Sequence, residues 1–120
     1  MTYVRCKTVP DFGQSYQNDL AIMKAGYVYI MGNDRPTLYT GVINNLVKRV
    51  FEHKNNKSYF TRRYQMHKLL YYEYCETIEQ AIIREKQIKD MNRKDKLAMI
   101  QKINPNFKDL YSWILDKITH

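Results

Sequence analysis

Residues 26–42 read GYVYIMGNDRPTLYTGV, and this stretch decides the fold. Residues 27–31 are β-branched and aromatic, which predicts a strand, and residues 37–42 predict a second one. The sequence GNDRP between them, at residues 32–36, is a dense turn signal. Two strands joined by so short a turn predict an antiparallel hairpin.

A helix and a third strand are expected after the hairpin. Apolar residues recur at helical spacing from Leu46 to Phe51. Asn44 or Asn45 can cap this helix by accepting hydrogen bonds from its exposed backbone N–H groups. The run LLYYEY at residues 69–74 then predicts the third strand.

The second half of the chain reads as mostly helical. Thr77 and Gln80 fit a capping box for a helix that should run to about Asp90. A further helix is predicted over about residues 93–103, because Pro105 cannot continue a helix, and a short one near the C terminus. Together these elements predict an α+β fold, with a small three-stranded antiparallel sheet flanked by helices.

Length and composition set the domain organisation. The 120 residues make one domain of ordinary size, which we place at residues 25–115, with a poorly anchored extension at 1–24 and a tail at 116–120. No run approaches the ~20 apolar residues that span a bilayer, and the first residues show no secretory signal. We therefore expect a cytoplasmic protein without membrane contact, with Cys6 and Cys75 as free thiols.

The charge of the chain points to a polyanionic partner. Twenty Lys and Arg residues against 12 Asp and Glu give a formal charge of +8. Residues 48–102 hold 14 basic and 7 acidic side chains, and so supply +7 of it. Such a field attracts nucleic acid first and an anionic membrane surface second, although a basic surface with no partner has the same composition.

One carboxylate interrupts an apolar helix face. Apolar residues at 78, 81, 82 and 88 form a stripe expected to face the sheet, and Glu85 falls within it. A carboxylate facing the core needs a metal, an arginine or backbone donors as a partner. The alternative is that Glu85 lies at the edge of the stripe, or pairs with Lys89 one turn later.

Three further groups are typical of either packing or chemistry. Arg49 and His53 share one face of the first helix, as a phosphate-binding pair or as a solvated basic flank. Tyr29 and Tyr39 lie on the hairpin strands, where tyrosine usually packs. Residues 59–64 alternate basic and aromatic types, as single-stranded nucleic-acid sites do, although a soluble loop would look similar.

Taken together, these positions resemble the GIY-YIG nuclease family, in particular its small stand-alone bacterial members. The resemblance spans about residues 26–111. The first signature strand is represented by GYVY at 26–29 and the second by YTG at 39–41, where Thr40 stands in place of the usual Ile or Val. The family arginine corresponds to Arg49.

Four later matches follow in the same order. His53 corresponds to the histidine that many members carry one turn after the arginine. The basic connector at residues 60–64 is typical of the small members. The metal-binding glutamate of the family sits in an Arg-Glu pair, here Arg84-Glu85, and residues 103–110 resemble the C-terminal signature.

The resemblance implies a site that cleaves phosphodiester bonds. Glu85 would bind Mg²⁺ or Mn²⁺, which prefer oxygen ligands and keep several waters. Arg49 would hold the non-bridging phosphate oxygens. Tyr29, Tyr39 and His53 would position or deprotonate the attacking water, with either Tyr29 or His53 as the general base.

The expected function is a metal-dependent endonuclease that hydrolyses DNA, directed by nucleic-acid structure, in DNA repair or processing; RNA as a substrate stays open. The alternatives are a non-catalytic nucleic-acid binding module on the same scaffold and a basic protein that docks an acidic partner. The candidates for contact with the nucleic-acid backbone are Lys48, Arg62, Arg63 and Lys68. One further candidate for the site is Asn104.

Overall fold

Three long antiparallel strands form the sheet, which confirms the expected fold class, and a short strand extends it. The computed structural model describes residues 7–8, 25–55 and 63–118, with side chains described over 25–55 and 63–115. Its strands are β1 (Lys7–Thr8), β2 (Gly26–Gly32), β3 (Leu38–Ile43) and β4 (Lys68–Cys75). Their order in the sheet is β1-β4-β2-β3, and neighbouring strands are antiparallel.

Helices cover both faces of this sheet. They are α1 (Leu46–Lys54), α2 (Ile78–Asp90), α3 (Arg93–Ile103) and α4 (Tyr111–Ile118). Two of the predicted caps are present: the Asn45 side chain accepts from the backbone N–H of Lys48, and that of Thr77 from the N–H of Gln80. The local signals therefore place the ends of these helices correctly.

The strand register decides which side chains share a face. Tyr29 pairs with Gly41, and Val28 pairs with Val42. Because successive side chains of a strand point to opposite faces, Tyr27, Tyr29, Tyr39 and Tyr72 share one face, here called the tyrosine face. The opposite face, which carries Val28 and Val42, is called the valine face.

Each face has its own core. On the tyrosine face, Leu46 and Val50 of α1 and Ile114 of α4 pack against the sheet. On the valine face, Ala81 and Ile88 of α2 do the same. The helices that carry Arg49 and Glu85 therefore lie on opposite sides of the sheet.

The segment after α3 is hydrogen-bonded to the start of β4. Leu110 donates its backbone N–H to the carbonyl of Leu69 at 2.8 Å, and the Asn104 side chain donates to the carbonyl of Leu70 at 3.0 Å. The same amide group donates to the carbonyl of Lys108 at 2.8 Å. These contacts give Asn104 a structural role in covering the strand edge, and its place in the site stays a prediction.

The expectation of free thiols is wrong for the cysteine at the end of β4. Cys75 is bonded in a disulfide. The only other cysteine of the chain, Cys6, lies outside the described residues. Disulfides persist mainly in oxidising surroundings, so the cysteine spacing alone did not give the redox state.

None of the helices within residues 25–55 and 63–118 is long and apolar enough to cross a bilayer.

Candidate active site

Two tyrosines and a histidine meet on the tyrosine face. The ring centroids of Tyr29 and Tyr39 lie 6.2 Å apart, and those of Tyr29 and His53 lie 5.6 Å apart. The hydroxyl of Tyr29 is 2.9 Å from Nε2 of His53, a buried hydrogen bond. Together with Arg49, these residues are called the polar cluster below.

A glycine makes room for the central tyrosine of the polar cluster. A Cβ atom at Gly41 would lie 2.6 Å from both Cζ and the hydroxyl oxygen of Tyr29. Real Cβ atoms essentially never approach other atoms so closely, so only glycine fits opposite this tyrosine. The glycine of the second signature strand thus sets the position of the tyrosine of the first.

Arg49 reaches the polar cluster from α1, one turn before His53. Its Nη1 lies 3.4 Å from the Glu52 carboxylate, and about a third of its side chain is exposed. Its Nε is buried and has no hydrogen-bond partner among the described residues. Because a buried donor without a partner costs roughly 1–3 kcal/mol, this guanidinium is suited to an anionic ligand.

Burial keeps both His53 and Tyr29 neutral at neutral pH. His53 is fully buried, and this burial, helped by the nearby charge of Arg49, lowers its pKa to about 4. Burial raises the pKa of Tyr29 well above its usual value, although a hydrogen bond with Arg49 works in the opposite direction. The Tyr29 hydroxyl can therefore donate its proton to a neutral imidazole nitrogen.

Exposure divides the polar cluster into an outer and an inner pair. Tyr39 and Arg49 are partly exposed. Tyr29 and His53 are buried behind them, with 1% and 0% of their surface exposed. A ligand that arrives from solvent meets Tyr39 and Arg49 first.

A comparison of the chain with protein-family models matches it to the GIY-YIG catalytic domain over residues 25–104. The chain belongs to the GIY-YIG family. The predicted site residues Tyr29, Tyr39, Arg49 and His53 lie together within this matched region, and the family is one of nucleases.

Several bacterial relatives support this assignment. The chain is 38% identical over 85 residues to a UPF0213 protein of Syntrophus aciditrophicus, an alignment that covers 69% of this chain and 97% of the relative. It is 41% identical over 75 residues to a UPF0213 protein of Clostridium perfringens, covering 62% and 81%, and 36% identical over 80 residues to one of Staphylococcus epidermidis, covering 66% and 98%. The chain thus resembles small bacterial GIY-YIG proteins. No solved structure gives a significant match.

Glu85, the expected metal ligand, lies on α2 and outside the contacts that define the polar cluster. One fifth of its side chain is exposed, and its carboxylate is 3.6 Å from Nζ of Lys89, the pairing that the sequence left open as an alternative. α2 packs against β2 and the edge strand β3 on the valine face, which is the face opposite to the polar cluster.

GIY-YIG nucleases generally depend on a divalent metal. The described residues contain no group of three or more His, Cys, Asp or Glu side chains that could hold an ion. Glu85 nevertheless offers a partly exposed carboxylate that is tied only to a lysine with half of its side chain exposed. Such a donor fits Mg²⁺ or Mn²⁺, which keep several waters, and does not fit a metal that needs a cage of protein ligands.

The helix face that meets the sheet differs from the predicted stripe by one position. Ile82 is 42% exposed, whereas Arg84 is buried. Arg84 donates from Nε and Nη2 to the two oxygens of Glu73 on β4, at 2.8 and 2.9 Å, and the Tyr71 hydroxyl donates to the same carboxylate. The carboxylate that needed a buried arginine was therefore Glu73, and its position in an otherwise apolar strand was the sequence signal for it.

The candidate nucleic-acid ligands fall into two places. Lys48 is exposed on α1, next to Arg49. Arg63, in the last part of the connector, is exposed, and Lys68, at the start of β4, is paired with Asp34 at 2.5 Å. Arg62 lies outside the described residues.

Proposed function

We propose that this GIY-YIG protein is a metal-dependent endonuclease that hydrolyses DNA phosphodiester bonds. The observation that carries the proposal is the 2.9 Å hydrogen bond between the Tyr29 hydroxyl and a buried, neutral His53, next to an arginine with an unpaired buried donor. Hydrolysis of a phosphodiester needs a cation for the phosphate oxygens and a path for the proton of the attacking water, and the polar cluster offers both.

Arg49 binds the phosphate in this proposal. Its planar guanidinium can hold two non-bridging oxygens as they gain negative charge in the transition state. The pairing with Glu52 at 3.4 Å is long for a charge-assisted hydrogen bond, so a phosphate can compete for the same donor. Tyr39, which is partly exposed, lines the same approach.

Tyr29 and His53 provide the proton path behind this phosphate site. As the Tyr29 oxygen accepts a proton from the attacking water, Tyr29 passes its own proton to Nε2 of His53. A bound phosphodiester offsets the positive charge of Arg49, which is one cause of the low pKa of His53. The substrate therefore makes His53 a better proton acceptor.

Glu85 is the ligand that we assign to Mg²⁺ or Mn²⁺. When bound, the ion would neutralise charge on the phosphate or the leaving oxygen.

We further infer that the nuclease is directed by the structure of its DNA and acts in DNA repair or processing. Lys48 and Arg63 present exposed charges suited to phosphates, and such contacts carry no sequence information. We place this activity in the cytoplasm as a prediction, and the disulfide at Cys75 is a feature that such a location must accommodate.

Purified protein should be incubated with flapped, branched, nicked and single-stranded DNA in the presence of Mg²⁺ or Mn²⁺. We expect cleavage of at least one branched or flapped substrate, and loss of cleavage on addition of a chelator. Glu85→Gln should abolish cleavage, whereas Glu79→Gln, an exposed control on the same helix, should leave it intact.

Two results would contradict this proposal, the first in part and the second as a whole. Equal cleavage by Glu85→Gln would remove the metal role of Glu85. Salt-dependent binding of DNA without cleavage of any substrate would favour the non-catalytic binding module instead.

A further inference from the structure

A polar cleft lies between the β2–β3 turn and the residues that lead into β4. Its volume is about 590 Å³, within the range of sites that hold a small molecule or one unit of a polymer. The lining residues are Asn33, Asp34, Arg35, Arg63, Tyr64 and Gln65. They do not include any residue of the polar cluster.

Asn33 fixes the two walls of this cleft to each other. Its side-chain amide donates to the backbone carbonyl of Tyr64 at 2.9 Å. Its side-chain oxygen accepts from the backbone N–H groups of Arg35 at 3.1 Å and Thr37 at 2.6 Å. The turn and the backbone at Tyr64 are thus held together before any ligand arrives.

The charges around the cleft favour an anion. Arg35 and Arg63 are both exposed. The carboxylate of Asp34 is paired with Lys68 at 2.5 Å, and this hydrogen bond lowers the pKa of Asp34. With Asp34 offset by Lys68, two guanidinium groups remain to attract a phosphate backbone.

An aromatic ring stands beside these charges. Tyr64 is 38% exposed and is one of four large hydrophobic side chains that are exposed in the described part of the chain. The guanidinium of Arg63 lies 5.5 Å from the centre of its ring. Exposed aromatic rings next to cations are the combination by which proteins hold unpaired bases.

The cleft lies close to the polar cluster along the fold. Tyr39 pairs with Met31, and the turn begins directly after the next pair of the ladder. At about 3.3 Å per residue, Asn33 lies roughly 7 Å along the strand from the level of Tyr39, a distance of one or two nucleotides. In addition, Lys54 at the end of α1 donates to the carbonyl of His67, so the helix that carries Arg49 also contacts the residues that lead into β4.

We propose that this cleft seats one unpaired nucleotide of the DNA strand that runs through the active site, with Arg35 and Arg63 on its phosphates and Tyr64 against its base. This inference rests on the proposed nuclease function and gives it a substrate class: DNA with an unpaired nucleotide a fixed, short distance from the scissile bond.

The test scans labelled flap duplexes of both polarities, in which a single abasic residue replaces each of the first unpaired nucleotides in turn. Binding is measured by fluorescence anisotropy in a chelator, so that no cleavage occurs. Because stacking on one aromatic ring contributes about 1–3 kcal/mol, we expect the wild type to lose about 10-fold in affinity at one position. Tyr64→Ala should bind the intact flap about 10-fold more weakly and show no further loss at that position.

Matched variants separate stacking and charge from general effects. Tyr64→Phe keeps the ring and should behave like the wild type. Arg35→Ala combined with Arg63→Ala should reduce the slope of log affinity against log salt by about 1.4, since each contact to a single strand contributes about 0.7. Lys86→Ala combined with Lys102→Ala removes the same charge from exposed positions on α2 and α3, and should leave this slope unchanged.

An abasic effect that is equal at all positions, or that persists in Tyr64→Ala, would overturn the proposed nucleotide site. Cleavage assays with Mg²⁺ keep the two proposals apart. Cleavage without a position-dependent abasic effect would reject the cleft alone, whereas a position-dependent effect without any cleavage would reject the nuclease function alone.

Discussion

The two faces of the sheet each carry an arginine beside tyrosines, and the two arginines are bonded differently. On the valine face, Arg84 forms two hydrogen bonds to Glu73, which also accepts from Tyr71. On the tyrosine face, Arg49 is 3.4 Å from Glu52 and keeps a buried Nε that has no partner in the described part of the chain. We call the first the closed network, because the Glu73 carboxylate is paired with Arg84, and the second the open network, because Nε of Arg49 has no partner among the described residues.

This difference separates stability from function within one small domain. The buried Glu73 carboxylate accepts from three donors and is fully compensated, so this network holds α2 against β4. A guanidinium with an unpaired donor destabilises the free protein slightly and gains a hydrogen bond when an anion binds. This contrast supports our proposal that a substrate phosphate is recognised on the tyrosine face.

Breaking the closed network should have the largest effect on stability. Arg84→Met leaves the Glu73 carboxylate buried and without its cation, and we expect a loss of about 3–5 kcal/mol in the free energy of unfolding. Urea unfolding, followed by the fluorescence of Trp113, the only tryptophan of the chain, measures this loss.

A second substitution sharpens that test. Glu73→Leu in addition to Arg84→Met removes the stranded charge, and should recover most of the lost stability. Arg93→Met removes an exposed arginine that donates to the backbone carbonyl of Pro36, and should cost no more than about 1 kcal/mol of stability. A double variant no more stable than Arg84→Met alone would contradict the assignment of a closed charge network.

Breaking the open network should affect the reaction more than the fold. Arg49→Ala removes the donor that we assign to the phosphate oxygens, and we expect the single-turnover cleavage rate to fall by about 10²–10³-fold. Because a third of this side chain is exposed and its ion pair is long, the free energy of unfolding should change by less than about 1 kcal/mol.

The conservative variant gives the control for this arginine. Arg49→Lys keeps the charge and loses the planar fork, so its cleavage rate should lie between those of the wild type and Arg49→Ala. A rate loss that parallels a loss of stability would assign Arg49 to the closed type of network and remove the contrast between the two faces.

The local parts of this fold could be predicted from the sequence because their signals are local. The hairpin at residues 26–42 follows from two strand patterns and a dense turn, and Thr77 marks the start of α2 through its cap. The alternation of strand side chains also put Tyr27 and Tyr29 on one face.

The remainder depends on contacts between distant elements. Glu73 and Arg84 are 11 residues apart, on a strand and a helix, and no sequence spacing signals their pairing. The apolar stripe predicted that Glu85 faces the sheet. In the structure α2 is rotated by one position relative to that prediction, so Arg84 is buried in place of its neighbour Glu85. The disulfide at Cys75 was missed for the same reason, since the cysteine spacing matched no known motif.

The smallest of the three effects is the pH dependence of stability that His53 of the polar cluster contributes. His53 is neutral in the fold, with a pKa near 4, and has an ordinary value near 6.5 when unfolded. Between these values the unfolded chain binds the extra proton, so this contribution is complete above pH 6.5 and is lost as the pH falls toward 4. At about 1.4 kcal/mol per pH unit, the full loss is about 3 kcal/mol.

Urea unfolding of the wild type and of His53→Gln, compared at steps between pH 4 and 7, isolates this contribution from the carboxylates that titrate in both proteins. The difference in unfolding free energy should shrink as the pH falls, because only the wild type loses the contribution of a buried neutral imidazole.

Tyr29→Phe removes the hydroxyl bound to His53 and keeps the ring that buries it. Since burial is the main cause of the low pKa, this variant should retain the wild-type slope. A difference between wild type and His53→Gln that stays constant with pH would show that the fold does not lower the pKa of His53. That result would contradict the buried, neutral imidazole on which the proposed proton path rests.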